Sequence, residues 1–234
     1  MKIIALIPAR SGSKRCPGKN TRMFFGHPLI AYTIRSAKAA GIFTDIVVST
    51  DSQETMEIAT SYGAHAILRP DEISQDHSTD YQWVEHALKT LGCHDDAFGI
   101  LRPTNPFRTV ETIKACWEEF RADRFARGLR TMREAREHPD KMWWPCGGYA
   151  LPFGARDGRW ERVDMPTQLL ANAYYQDGLF YINLTDNVYG QYSLTLPAVI
   201  PHITTFPENL DINTEMDWLS AEALVENGMV KLPE

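Results

Sequence analysis

The densest chemistry in this chain lies in the segment PARSGSKRCPGKN, residues 8–20. Arg10, Lys14, Arg15 and Lys19 place four cations within ten positions, and like charges this close repel one another unless an anion sits among them. Gly12 and Gly18 permit close backbone approach to such an anion. The phosphates of a nucleoside triphosphate are the natural counter-charge; the competing reading is a solvated basic loop. A P-loop is excluded. Five residues separate Gly12 from Gly18, and Asn20 stands where that motif needs a metal-binding hydroxyl.

Other single residues say less on their own. Asp211 alone reads as a turn or helix-capping aspartate. His138, ahead of Pro139, is a lone turn histidine and reads as structural rather than as a general base. Cys16, Cys93, Cys116 and Cys146 are scattered with neither zinc-site nor disulfide spacing, which is the pattern of a reduced, cytoplasmic protein. Trp143, Trp144 and Trp160 read as interface packing rather than a stacking platform for nucleic acid.

The basic loop needs a scaffold, and the first half of the chain supplies an alternation of strands and helices. Residues 3–8 (IIALIP) form a continuous apolar run, as in a strand buried on both faces. Further strands are expected at 45–50, 64–68, 97–102 and 179–183. Helices are expected from Pro28 to Gly41 and over 53–62, 79–91, 110–120 and 214–226, the last capped near Asn213–Thr214. This rhythm predicts an α/β fold with a doubly wound, mostly parallel sheet, whose ligands bind at the carboxyl ends of the strands, where the basic loop lies. Residues 137–176, rich in Trp, Pro and Gly, interrupt it. The division is therefore an α/β domain of 1–136 and 177–234 with an inserted arm of irregular β structure at 137–176.

Length and charge bound the rest. A chain of 234 residues, 44% hydrophobic and 23% charged, suits one globular α/β unit with an elaboration. A net charge of −6 gives no general attraction to nucleic acid or anionic membranes. The opening apolar run, closed by Arg10, is too short for a signal peptide, and no stretch reaches membrane-span length.

Seven segments occur in a recognisable order: the basic loop, VSTD (48–51), LRP (68–70), LRPTNPFR (101–108), EHPDKMW (137–143), DGLFYIN (177–183) and LDINTEMDW (210–218). The ordered set resembles the acylneuraminate cytidylyltransferase family, which includes the CMP-sialic acid synthetases, over nearly the whole chain. The resemblance implies a Rossmann-like domain, a homodimer joined through the arm, CTP as the CMP donor, Mg²⁺ as cofactor, and pyrophosphate as product. It implies Lys14, Lys19 and Asp211 as catalytic residues, with Arg10, Ser13, Asn20, Arg69, Asp76 and Ser78 around the nucleotide. Asp211 and Asn213 would hold the metal. Arg102, Lys141, Gln168 and Tyr175 would face a small acidic acceptor.

The chain departs from the family's pattern at instructive places. Asn213 stands for a second metal-binding aspartate, Arg102 for glutamine, Thr167 and Tyr175 for arginines, and Asp177 for asparagine. Two acceptor classes follow: a sialic-acid-like nonulosonate attacked through its anomeric hydroxyl, or a smaller phosphonate or phosphate dianion matched to the Arg102 fork. Arg102 could equally be spent in an internal ion pair. A nucleotidyltransferase using another base, or a non-catalytic nucleotide-binding protein of the same fold, are the remaining readings; the retained Lys14, Lys19, Arg69, Lys141 and Asp211 argue against the latter.

Overall fold

A computed structural model describes residues 1–154 and 158–233. Its central strand, β1 (Ile3–Pro8), is apolar along its length because both faces are covered. Ile3, Ala5 and Ile7 pack with Ile30, Ile34, Ile113 and Phe120 on one side, while Ile4 and Leu6 meet Trp83, Val84 and Leu88 on the other. The helices responsible are α1 (Leu29–Ala40), α2 (Gln53–Ser61) and α4 (Val110–Ala122) on the first face, and α3 (Asp80–Leu91) and α5 (Thr185–Gln191) on the second. Gly41, with φ 65°, ends α1, and a capping box of Thr79 and Gln82 opens α3.

Flanking β1 are β4 (Ile46–Thr50), with β5 (His65–Leu68) beyond it, and β6 (Ala97–Ile100), all parallel. Past β6 lie β10 (Tyr174–Leu184), β7 (Gly128–Glu134) and β11 (Val199–Ile203), giving the order β11-β7-β10-β6-β1-β4-β5. Strand β10 runs antiparallel to both neighbours and β11 is parallel to β7. The sheet is thus doubly wound and mostly parallel, as expected. The chain leaves β1 toward β4 and β5, then returns to the opposite side for β6. The carboxyl ends of β1 and β6 therefore flank a topological switch point, where such sheets open a ligand crevice.

Three sheet-side elements were not legible from periodicity: β7, α5 and β11. Strand β7 buries Arg130 in its middle. That guanidinium donates to Leu194 O at 2.7 Å and Asn183 Oδ1 at 3.1 Å, and lies 4.6 Å from the Tyr181 ring, so a charged residue breaks what would otherwise read as an apolar run. Strand β11 contains Pro201, tolerated because β11 is an edge strand. Residues 174–176, assigned to the arm on sequence, pair with Met132, Arg133 and Glu134 as part of the main sheet.

The short pair β2 (Met23–Phe24) and β3 (His27–Pro28) follows the basic loop. Away from the main sheet, β8 (Trp143–Cys146) and β9 (Tyr149–Pro152) form a two-stranded sheet of their own, joined by Gly147 and Gly148. Helix α6 (Glu215–Glu226) starts from a capping box of Thr214 and Asp217, so Thr214, not Asn213, is the cap. It packs Trp218, Ala221 and Leu224 against Cys16, Phe24, Leu29 and Tyr32. The last helix and the basic loop share one core, which buries the Cys16 thiol. Among the described residues no helix is long and apolar enough to cross a membrane.

Candidate active site

The basic loop is held open at the switch point by its neighbours. Ser11 donates its backbone N–H to Asp51 Oδ1 at 2.7 Å and its hydroxyl to Asp51 Oδ2 at 3.1 Å. Asn20 closes the loop from the other end, donating from Nδ2 to the Arg10 carbonyl at 3.1 Å. Arg22 pairs with Glu215 at 2.7 Å and lies over Trp218, tying the loop to α6. Asp51 is the aspartate of the VSTD segment (48–51), just past the end of β4, and its place in that segment was the available signal.

Beneath this loop is a cleft of about 550 Å³, lined by Arg10, Ser13, Lys14, Arg15, Lys19, Asn20, Arg69, Asp76, Ser78, Arg102, Asp211 and Asn213 among others. The structure brings together every residue expected at the nucleotide, together with both expected metal ligands. Arg10 Nη1 lies 2.8 Å from Asp76 Oδ1, and Lys14 pairs with the other oxygen of the same carboxylate. Those two cations push the Asp76 carboxyl down to about 2. Ser78 accepts from the backbone N–H of Gln75 and shapes the turn that carries Asp76.

The deeper cations are fixed more firmly. Arg69, 4% exposed, donates to Ser49 Oγ at 3.1 Å and Ser49 O at 2.9 Å, and its guanidinium sits 5.2 Å from the Trp83 ring. Burial lowers its pKa to about 10, so it is charged at neutral pH. Lys19 donates to Ile212 O at 2.8 Å and Asn213 Oδ1 at 3.3 Å. Burial pulls its pKa down, against the opposing pull of Asp211.

Asp211 stands at a junction. It lines the cleft and also a neighbouring recess of about 450 Å³ that includes Arg133, Tyr175, Asp177, Thr204 and Phe206. Asn213 Nδ2 donates to Asp211 Oδ2 at 2.5 Å, while Asp211 Oδ1 is buried with no hydrogen-bond partner among the described residues. A buried carboxylate oxygen without a donor is costly, and it is the kind of ligand a hard cation takes; the Asn213 amide oxygen is held by Lys19 and would have to leave it to join such a site.

Arg102 lines the first cleft, but it is not free. Its Nη2 lies 2.5 Å from Asp80 Oδ2, and Trp83 Nε1 donates to the other oxygen of Asp80 at 2.8 Å. Arg108 of the same motif is fully buried and donates to Arg102 O, Leu179 O and Thr33 Oγ1, so it fixes the backbone from which Arg102 extends.

A family model described as cytidylyltransferase matches residues 4–139. The CMP-N,N′-diacetyllegionaminic acid synthase of Legionella pneumophila is 30% identical over 97% of this chain and 97% of its own length. The chain belongs to the cytidylyltransferase family. The N-acylneuraminate cytidylyltransferase of Escherichia coli is 45% identical over 48% of this chain, and that match spans 28% of the relative. The pseudaminic acid cytidylyltransferase of Campylobacter jejuni is 39% identical over 51% of this chain and 53% of its own. These relatives agree with the branch indicated by the ordered motifs. A solved structure of CMP:2-keto-3-deoxy-manno-octonic acid synthetase complexed with CTP shares the fold, with TM-score 0.71 at 17% identity, over 97% of this chain and 100% of that one.

The acceptor-side residues of this cytidylyltransferase-family chain are more dispersed than the nucleotide side. Tyr175 lines the second recess and Arg102 the first. Lys141 and Gln168 line neither. Lys141 is engaged within the arm, donating to the carbonyls of Val163 and Met165, and Gln168 sits on an exposed 3-10 turn at Thr167–Leu169. His138 is also structural: its ring bonds Ala171 O at 2.8 Å and the Asp140 N–H.

Proposed function

We propose that this chain transfers CMP from CTP to the anomeric hydroxyl of a nonulosonic sugar acid, releasing pyrophosphate. The observation that carries the reading is the junction at Asp211. A cation-lined cleft at the switch point meets a second recess there, as needed for two substrates that share one reacting phosphorus. Arg10, Lys14, Arg15 and Lys19 hold the triphosphate, with Arg69 beneath it. The acceptor oxygen bonds to the α-phosphorus as the bond from that phosphorus to the bridging oxygen breaks. Pyrophosphate leaves with the electron pair, and the hydroxyl proton passes to water. Lys14 and Lys19 stabilise the charge that develops on the departing oxygens.

Asp211 and Asn213 are the residues that hold Mg²⁺ in this reading, and the partnerless Asp211 Oδ1 supports the assignment. When bound, the ion neutralises phosphate charge. The nonulosonate is preferred to a phosphonate or phosphate dianion because Arg102, the fork that suggested a dianion, is already paired with Asp80. The names of the relatives, which act on sialic, pseudaminic and legionaminic acids, point the same way.

We place the active unit as a homodimer in the cytoplasm. Trp143 and Tyr149 on the arm are 52% and 81% exposed, a patch suited to a second copy, and buried Cys16, Cys93 and Cys116 are free thiols. A second copy is also what would bring Lys141 or Gln168 to an acceptor.

The test is pyrophosphate release from CTP with Mg²⁺ and a panel of nonulosonic acids, small phosphonates and phosphate esters. Turnover confined to the sugar acids is expected. Turnover with phosphonates alone, equal use of GTP or UTP, or no turnover at all would each sink the proposal.

A further inference from the structure

The second recess contains a cation that neither the motifs nor the nucleotide site uses. Arg133 on β7 lies directly across from Tyr175 on β10 in the strand register, and its guanidinium sits 5.1 Å from the Tyr175 ring. Among the described residues, this aromatic contact is its one recorded interaction, with no hydrogen bond or ion pair to a protein carboxylate. It is also the one cation among the described residues lining the recess.

Glu134, Asp177, Asp211 and Asp217 also line the recess, and none of them pairs with Arg133 among the described residues. Asp177 accepts from Thr131 Oγ1 at 2.6 Å, from Leu179 N at 3.0 Å and from Thr204 Oγ1 at 2.5 Å. Asp217 accepts from the backbone N–H groups of Asn213 and Thr214 and from the Thr214 hydroxyl while capping α6. Arg102 is bound to Asp80 in the adjoining cleft. An unpaired guanidinium, half-buried, steadied by an aromatic face and opening on a recess that meets the reaction site at Asp211, is a monocarboxylate receptor in its chemistry.

We infer that Arg133 binds the carboxylate of the acceptor acid, with Tyr175 as the platform that orients it. This rests on the proposed transfer to a sugar acid and deepens it. One free guanidinium matches one carboxylate, so the recess selects a monoacid. A cross-strand pair can exchange roles because its side chains emerge side by side on one sheet face. Position 175 thus needs no cation of its own when position 133 supplies one.

The experiment compares wild type, Arg133→Gln and Arg102→Gln, each checked for a cooperative melting transition and for CTP binding. Acceptor KM and kcat are measured with the free sugar acid and with its methyl ester. For Arg133→Gln the acceptor KM is expected to rise about 10- to 100-fold, the loss of one charge-assisted bidentate contact, with the KM for CTP little changed. The preference of wild type for acid over ester should collapse in the variant, because only the charge distinguishes the two ligands. Arg133→Lys should recover part of the affinity. An unchanged acid-to-ester preference in Arg133→Gln, or its collapse in Arg102→Gln instead, overturns the inference while leaving CMP transfer intact. Failure of wild type to use any sugar acid overturns the parent reading, and this one with it.

Discussion

The guanidinium of Arg102 and the carboxylate of Asp80 meet at 2.5 Å in the cleft beneath the basic loop. The same carboxylate holds the Trp83 indole, whose ring lies under the Arg69 guanidinium. Asp80 therefore links Arg102 to Arg69 through Trp83, and it lines the cleft itself.

Replacing Asp80 with Asn should loosen both ends of this chain of contacts. The pair is partly exposed, so the stability cost should be modest, about 1 kcal/mol. Burial works to raise the Asp80 pKa, but Arg102 and the Trp83 N–H prevail and hold it below the usual carboxylate range. A carboxyl whose folded pKa is depressed contributes stability above its unfolded pKa, near 4, and loses it as pH falls through the folded value. Urea melts at descending pH should show wild type losing stability below about pH 4, and Asp80→Asn should show a shallower decline. Parallel curves would mean that the pair is silent.

Asp76 occupies Arg10 and Lys14 as an internal anion, in the position where the triphosphate needs those cations. The substitution Asp76→Asn is expected to tighten CTP binding several-fold and to steepen its salt dependence, because two cations lose their protein partner. Isothermal titration at two salt concentrations checks this. Weaker binding in the variant would make Asp76 a direct nucleotide contact instead.

Gly178 adopts φ +78°, and a Cβ there would meet Arg102 Cδ at 3.1 Å. It sits in the register shift of β10, between Gln176 and Tyr181, a bulge that re-aims neighbouring side chains. For Gly178→Ala we expect a loss of about 1–2 kcal/mol in denaturant melts, from the left-handed backbone, and an altered acceptor KM from displacement of Arg102. A variant as stable as wild type would show that the backbone relaxes there without penalty.

The basic loop was legible in the chain because its residues are local. Arg10 to Asn20 form one loop, and the strand before it is apolar on both faces, so type and place were readable together. The acceptor side depends on register and on pairing. Arg102 and Arg108 belong to one short motif, yet Arg108 is fully buried against carbonyls and Arg102 is bound to a helix residue that no periodicity singles out. Arg133 gains meaning only from standing across from Tyr175, and β7 itself was hidden by the buried Arg130. Lys141 and Gln168 carry side chains suited to an acceptor, but the arm's own folding turns them to other contacts or to solvent.

Asp211 offers the sharpest separation of function from stability. One of its oxygens is buried without a donor, and the other accepts from Asn213. The unsatisfied oxygen costs on the order of 1–3 kcal/mol, which a bound cation would offset. The substitution Asp211→Asn removes the charge at nearly constant shape and adds an N–H donor. Turnover should fall by at least about 100-fold, from loss of electrostatic stabilisation at the phosphates. The melting temperature should hold steady or rise, because the unsatisfied carboxylate has been removed. Metal binding, followed by Mn²⁺ relaxation enhancement with CTP present, should weaken in parallel. A large drop in melting temperature with metal binding intact would make Asp211 a structural aspartate of the turn before α6, and the metal site would have to lie elsewhere.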